Sequence, residues 1–400
     1  MATAATFDQR APRAAVPASS LNAGPVTLAG GLIAAGALYL AAAVTWRQSL
    51  LFLVGAFAGL ALYHGAFGFT SSWRALIAHR RGAGVRAQML MLALTCALFF
   101  PLLARGNAFG MTLRGSVSPV GLSVIAGAFL FGVGMQLGGG CASGTLYTAG
   151  GGSVRMIATL AAFIAGSVLG AWQMPLWEHA PALKPISLVA RYGLVAAAAI
   201  SLTLFAAVTA WSIAIERRRH GSIESVYETK AAATYLRGPW PLVAGAVALA
   251  AVNLATLFLA GRPWGVTSAF ALWGAKMMRA VGWDVAAWPY WQARTAELDA
   301  SVFRDVTSVM NFGIILGALA AAGLAGRFAP ALKVPLASLA AAIVGGLMLG
   351  YGARIAYGCN IGAYFSGIAS SSVHGWVWFV AAFAGNIAGT RLRPLFGLRI

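Results

Sequence analysis

About ten apolar runs, most of them about 17–22 residues long, leave this chain few folds other than a bundle of membrane helices. They lie near 25–45, 50–69, 87–104, 119–138, 154–174, 190–214, 240–260, 308–326, 335–353 and 375–392. Sixty per cent of the 400 residues are hydrophobic and 9% are charged. A water-soluble chain of this length has no interior large enough to hide that much apolar surface. The fold class is therefore an all-α polytopic membrane protein.

A formal charge of +19 would otherwise suggest nucleic acid, but the basic residues sit between the apolar runs. There they act as topology signals and as contacts for the anionic lipids of the bilayer; no nucleic-acid partner is expected. Arg74, Arg80, Arg81 and Arg86 form one cluster, and Arg217, Arg218, Arg219, Lys230 and Arg237 a second. Arg327 and Lys333 follow, then Arg391, Arg393 and Arg399. Counting alternate crossings puts all four clusters on one side, the cytoplasm, together with both termini. The acidic 283–305 loop falls on the other side, and its aromatic stretch WDVAAWPYW reads as an interfacial belt.

Within this framework two segments match without a gap, GVGMQLGGGCASG at 132–144 and GYGARIAYGCNIG at 350–362. Gly132/Gly350, Gly134/Gly352, Gly140/Gly358, Cys141/Cys359 and Gly144/Gly362 are identical pairs. Each motif closes an apolar run, and its glycines break the helix and let backbone come close to backbone or ligand. A second pair, Gly68-Phe69-Thr70-Ser71 and Gly265-Val266-Thr267-Ser268, precedes the motifs in the same order. Its spacing is shorter than that of the cysteines by about the length of the 283–305 insertion. The reading is two repeats of four spans joined by one span, so that the second enters the membrane inverted. The expected divisions are a flexible tail at 1–24, an extra span at 25–49 and a first repeat at 50–189. A connecting span and cytoplasmic loop at 190–239 and a second repeat at 240–400 follow.

Cys141 and Cys359 are the leading candidates for chemistry. A thiol is a weak donor, a polarisable acceptor and, once ionised, a nucleophile. Gly140, Gly144, Gly358 and Gly362 clear space around it and free backbone N–H groups that attract anions. Arg354, five residues before Cys359, is a cation inside an apolar run and so an anion attractor. Gln136 is its counterpart in the first motif, which would make the path electrically asymmetric. Cys96 reads as packing. His64, Asn311 and Asn386 are weaker candidates, of the kind that join membrane helices to each other. Thr70 and Thr267 read as N-caps of short helices ahead of any ligand role.

Several classes are excluded or unsupported. None of the nine acidic residues falls in the middle of a run, so carboxylate proton relays and cation sites have no basis. Three cysteines make no disulfide framework, and with no CxxC or HxxxH neither a metal nor any other cofactor is expected. A nucleotide-binding GxxxxGK[ST] segment does not occur.

These motifs and their inverted placement resemble the YeeE/YedE family of bacterial membrane proteins, associated with uptake of thiosulfate and other sulfur compounds. The resemblance extends from about residue 50 onward. It implies an hourglass of inverted halves in the inner membrane, with Cys141 and Cys359 as relay thiols on a central path. It also implies a TusA-like sulfur-carrier partner, here a separate chain. The sequence departs from the family in lacking a cysteine within GAFGFTS or GRPWGVTS, and Cys96 does not replace it. The expected function is import of thiosulfate or a related sulfur-containing anion, and not an enzymatic one. A membrane sulfurtransferase that passes sulfane sulfur through persulfides to a cytoplasmic carrier is the alternative, and a non-transporting scaffold a third possibility.

Overall fold

The computed structural model describes residues 21–228 and 235–400. The expected tail at 1–24 and Lys230 therefore fall largely or wholly outside the described residues. The first half runs α1 (Ala23–Ala43), α2 (Trp46–His64), α3 (Phe69–His79), α4 (Ala83–Arg105), α5 (Leu122–Gly138), α6 (Ala142–Gly150), α7 (Val154–Trp172) and the short α8 (Met174–Glu178). The second runs α9 (Leu188–His220), α10 (Leu242–Ala260), α11 (Thr267–Ala280), the short α12 (Pro289–Gln292) and α13 (Thr295–Asp299), and α14 (Val306–Leu324). It continues through α15 (Leu336–Ile355), a π-helical turn Asn360–Phe365, α16 (Ser366–Ala369) and α17 (Val373–Leu392). The only sheet among the described residues is two pairs of two-residue strands.

Nine helical stretches among the described residues are long and apolar enough to cross a membrane, with α2–α3, α5–α6 and α15–α16 each forming a single stretch. The tenth expected run, at 375–392, forms the 20-residue α17, which is not among those nine. Its Trp, His and Asn residues lower its hydropathy, and it is held instead by packing along α5.

That packing is close because glycines line the seams. A Cβ on Gly132 would stand 2.1 Å from the Ala382 carbonyl oxygen, and one on Gly350 would stand 2.2 Å from that of Phe163. Small residues allow such backbone approach in a bundle where lipid gives no hydrophobic drive to helix association. The contacts also fix direction. Gly132 meets Ala382 and Gly389 meets Val133, so α5 and α17 run parallel; Gly346 meets Thr159 and Gly350 meets Ser167, so α15 and α7 do too. Gly127 meets Gly352 and Gly134 meets Gly345, so α5 and α15, the two helices that carry the matched motifs, run antiparallel. The other long pairs follow the same exchange: α14 packs on α2 and α4 on α10, while α1 packs on α14 and α9 on α4.

The 281–305 insertion is not a loose belt. Val285, Trp291 and Leu298 are buried against Ala271, Leu272 and Ala275 of α11, and the Lys276 ammonium donates to the Leu298 and Ala300 carbonyls at 2.6 Å each. Trp291 is thus a core residue of this small cluster, because the insertion has apolar side chains enough to fold back on α11. Trp283 remains exposed.

Candidate functional site: two interrupted helices meeting at Cys141 and Cys359

Both matched segments break in the same way. After α5 the chain turns through Gly139, at φ 89°, into Cys141; after α15 it turns through Tyr357, at φ 57°, into Cys359. Gly139 and Tyr357 are the same motif position, so the left-handed turn belongs to the motif, although only Gly139 has the residue that favours it. The two cysteines then share an extended backbone, φ −82° and ψ −170° against φ −109° and ψ −168°, and each stands at the N-cap of the next helix. Cys141 Sγ accepts the Gly144 N–H at 3.4 Å and lies 3.5 Å from the Ser143 hydroxyl.

The second break is wider. The Cys359 carbonyl accepts N–H groups from both Ala363 and Tyr364, which produces the π-helical turn in place of a regular helix start. From α17, Trp378 Nε1 donates to the Gly358 carbonyl at 3.2 Å, and the His374 ring contacts the Ala356 carbonyl at 3.0 Å. Cys141 and Cys359 are both buried. Packing of α6 against the π-helical turn brings the two halves together there.

The motif glycines behave unequally. A Cβ on Gly144 would lie 3.4 Å from Cys141 Sγ, one on Gly140 would lie 3.1 Å from the backbone of Gly144 and Thr145, and one on Gly358 would lie 2.8 Å from Ala363 N. At Gly362 nothing stands within 4 Å of that position, so open space adjoins the Cys359 turn.

Gln136 and Arg354, the matched pair ahead of the cysteines, have different surroundings. Gln136 is fully engaged: its amide donates to Asn386 Oδ1 at 2.6 Å and to the Thr70 carbonyl at 3.2 Å, and its oxygen accepts from Arg74 at 3.4 Å. Arg354 is 8% exposed, carries the ring of Tyr290 over its guanidinium and donates to the Tyr290 hydroxyl, while its Nε has no partner.

The remaining candidates divide in the same way. Asn386 is a helix-to-helix tie through Gln136, the Ala382 carbonyl and Met135 Sδ. Asn311 donates to the Val266 carbonyl. His64 is buried beside Trp240. Cys96 is buried in the helix packing, directed to the Ile368 carbonyl at 3.7 Å.

Thr70 and Thr267 are not N-caps. Gly68 and Val266 occupy those positions, and the Thr70 hydroxyl is buried without a partner. The caps stand two residues ahead of Thr70 and one ahead of Thr267; at the first, Gly68 already supplies the extended backbone that a cap requires.

Sequence reasoning missed several groups. Arg155 donates to the Gly138 and Leu137 carbonyls at 2.6 Å each and to Ser338; Arg393 donates to the Gln136 carbonyl at 2.6 Å. With Arg74 they gather three guanidiniums at the C-terminal end of α5, where helix carbonyls are left over. Burial, helped by the Arg74 and Arg155 charges, pushes the Arg393 guanidinium below its usual range. Tyr290, Asn360 and Tyr364 were also missed. Only Asn360, adjacent to Cys359, had a signal in the sequence. Glu216 is a buried carboxylate, but it is tied to Arg86 at 2.6 Å, to Arg81 at 3.3 Å and to two backbone N–H groups.

A family model described as sulphur transport matches residues 64–388, which includes both cysteine motifs, both GxTS elements and the insertion. The chain belongs to this family. Within it, the chain is 28% identical to the thiosulfate transporter TsuA of Spirochaeta thermophila over 345 residues, 84% of this chain and 95% of that one. It is 29% identical to the probable transporter YedE of Escherichia coli over 163 residues and 28% identical to that of Salmonella typhimurium over 169. Those two matches span about two fifths of each YedE relative, 40% and 42%. Among the described residues no group of three or more His, Cys, Asp or Glu side chains could hold a metal ion.

Proposed function

We propose that this protein is an inner-membrane permease that imports thiosulfate or a related sulfur-containing anion along a path between Cys359 and Cys141. The observation that carries the reading is the packing of α6 against the π-helical turn, which joins antiparallel halves where each cysteine stands at the N-cap of an interrupted helix. Broken helices at a repeat interface are where transporters of this build place substrate. The name of the TsuA relative supports a sulfur oxyanion as cargo.

Each thiol offers a weak donor and a polarisable sulfur, which suits contacts that must be released as readily as they form. Arg354 attracts the anion on the side of the 281–305 insertion, and the breaks that hold Gly140, Gly144, Gly358 and Gly362 line its passage. Gln136 fixes the wall of the first half. The hydrogen-bond partners of Cys141 are neutral, which supports transient contact over an activated thiolate. On this reading the repeats also take in their leading helices, α1 with the first and α9 with the second, since each packs on the equivalent helix of the other half. The termini face the cytoplasm, where a TusA-like carrier would receive the cargo.

Uptake of labelled thiosulfate, sulfite and sulfide into proteoliposomes tests this. Wild-type protein should accumulate at least one of them, and Cys141→Ala and Cys359→Ala should each abolish it. Uptake that survives both substitutions removes the proposal, and persulfide adducts on either cysteine after exposure would replace it with sulfur transfer.

A further inference from the structure

Two buried polar side chains without partners stand in the turn that follows Cys359. Asn360, the residue after Cys359, is fully buried, and both its amide nitrogen and its amide oxygen lack a hydrogen bond. One turn on, Tyr364 is equally buried and its hydroxyl is unpartnered. Its ring is fixed on every side: stacked on Phe379 at 5.0 Å and on Trp378 at 6.3 Å, with Phe69 and Trp73 edge-on at 6.0 and 5.9 Å. Phenylalanine would pack that ring equally well, so the hydroxyl serves no purpose in the packing. Buried polar groups normally find partners, and those that do not call for an explanation such as a bound ligand or water. The open space at Gly362, in the same turn, gives that ligand a place.

The first motif supplies an internal control. The positions that match Asn360 and Tyr364 are Ala142 and Leu146, both fully buried and apolar. The fold is therefore made in one half without polar residues at these places. No buried side-chain nitrogen or oxygen of α5 or α6, the helices on either side of Cys141, is left without a partner among the described residues.

Resting on the permease reading, we infer that Asn360 and Tyr364 are the groups that recognise the cargo, and that they recognise its oxygen atoms. The Asn360 N–H and the Tyr364 O–H donate to an oxyanion beside Cys359, and the Asn360 amide oxygen accepts from a water that travels with it. The site then distinguishes anions by their oxygens: thiosulfate and sulfite are bound, and hydrosulfide, which has none, is not selected. Cys359 and its turn form the binding half, and Cys141 the half that passes the cargo on.

The test borrows the first motif's own residues. Asn360→Ala and Tyr364→Leu, with Tyr364→Phe as the milder change, are compared with wild type in proteoliposomes for thiosulfate and sulfite uptake and for competition by hydrosulfide. Each is expected to raise the KM for the oxyanions about tenfold, the factor that corresponds to loss of one hydrogen bond to a charged group, and to narrow the advantage over hydrosulfide. Thr145→Val, which removes a hydroxyl already bonded to the Cys141 carbonyl, should leave KM unchanged. Monodisperse elution and an unaltered melting transition establish folding, and Tyr364→Phe keeps the test standing if Asn360→Ala fails to fold. Unchanged KM and unchanged selectivity in folded Asn360→Ala and Tyr364→Phe overturn this inference alone, provided Cys359→Ala abolishes uptake. If Cys359→Ala and Cys141→Ala transport as wild type, the permease reading falls and this inference falls with it.

Discussion

The ring of Tyr290 lies over the guanidinium of Arg354, with 5.3 Å from the guanidinium carbon to the ring centroid, and its hydroxyl accepts a hydrogen bond from the same group. The two residues come from different parts of the second half, one from the 281–305 insertion and one from the last turn of α15. The aromatic face steadies a buried cation without neutralising it, as the anion-attracting role proposed for Arg354 requires.

Removing this support should therefore weaken substrate capture. Tyr290→Ala is expected to raise the KM for the transported anion about 3- to 10-fold, the range of one cation–π contact plus a hydrogen bond at a partly desolvated site. Tyr290→Phe, which keeps the ring, should fall between it and wild type. Arg354→Leu should abolish high-affinity uptake. Initial-rate uptake over a concentration series measures all three, and a fall in maximal rate with no change in KM would argue against the role.

The three cysteines should separate by function. Cys141→Ala removes both a thiol and the cap of α6, at a cost of about 1 kcal/mol in stability, along with transport. Cys141→Ser restores the cap but not the sulfur, so its melting transition should recover and its uptake should not. Cys96→Ala, which empties only a small volume in the packing, should lose about 1 kcal/mol and transport normally. Thermal melts in detergent paired with uptake assays distinguish the two effects.

Helix seams should be intolerant of a single methyl group. A Cβ on Gly317 would stand 1.8 Å from the Ala56 carbonyl oxygen, so Gly317→Ala should cost roughly 1–3 kcal/mol or more. Gly30, where nothing lies within 4 Å, should accept alanine with a change within about 1 kcal/mol. Melting midpoints of the two variants should differ by several degrees, and equal midpoints would contradict the packing.

Arg155 closes the end of α5 by donating to two of its last carbonyls. Arg155→Ala should lose about 1–3 kcal/mol, because the Leu137 carbonyl is left without a donor and that of Gly138 keeps only the Thr159 hydroxyl. Arg155→Lys should rescue little of this, since a single ammonium does not reproduce the fork that reaches both oxygens and Ser338. Chemical or thermal unfolding of the two variants checks this; full rescue by lysine would reduce the site to a simple charge effect.

By itself the sequence determined that the chain forms apolar helices long enough for a membrane, because that follows from hydropathy along the chain. The breaks at Cys141 and Cys359 were equally legible, since the matched glycines fall where an apolar run closes. So was the correspondence of the two halves, which rests on matched residues. Tertiary structure alone decided what each polar side chain meets. Gln136 and Arg354 occupy matched positions, yet one is bound into a knot of Asn386, Thr70 and Arg74 and the other lies beneath a tyrosine some sixty residues away. The cap assigned to Thr70 failed for a local reason, the backbone already being extended at Gly68, and that assigned to Thr267 because the helix already includes Thr267. Trp291, read as part of a belt, proved to be core because the insertion folds onto α11. Hydrophobic pattern and chain breaks are carried by near neighbours in sequence and can be read there. Hydrogen-bond satisfaction is a property of groups brought together from distant segments, which is why the orphaned amide of Asn360 and hydroxyl of Tyr364 became visible only in the folded protein.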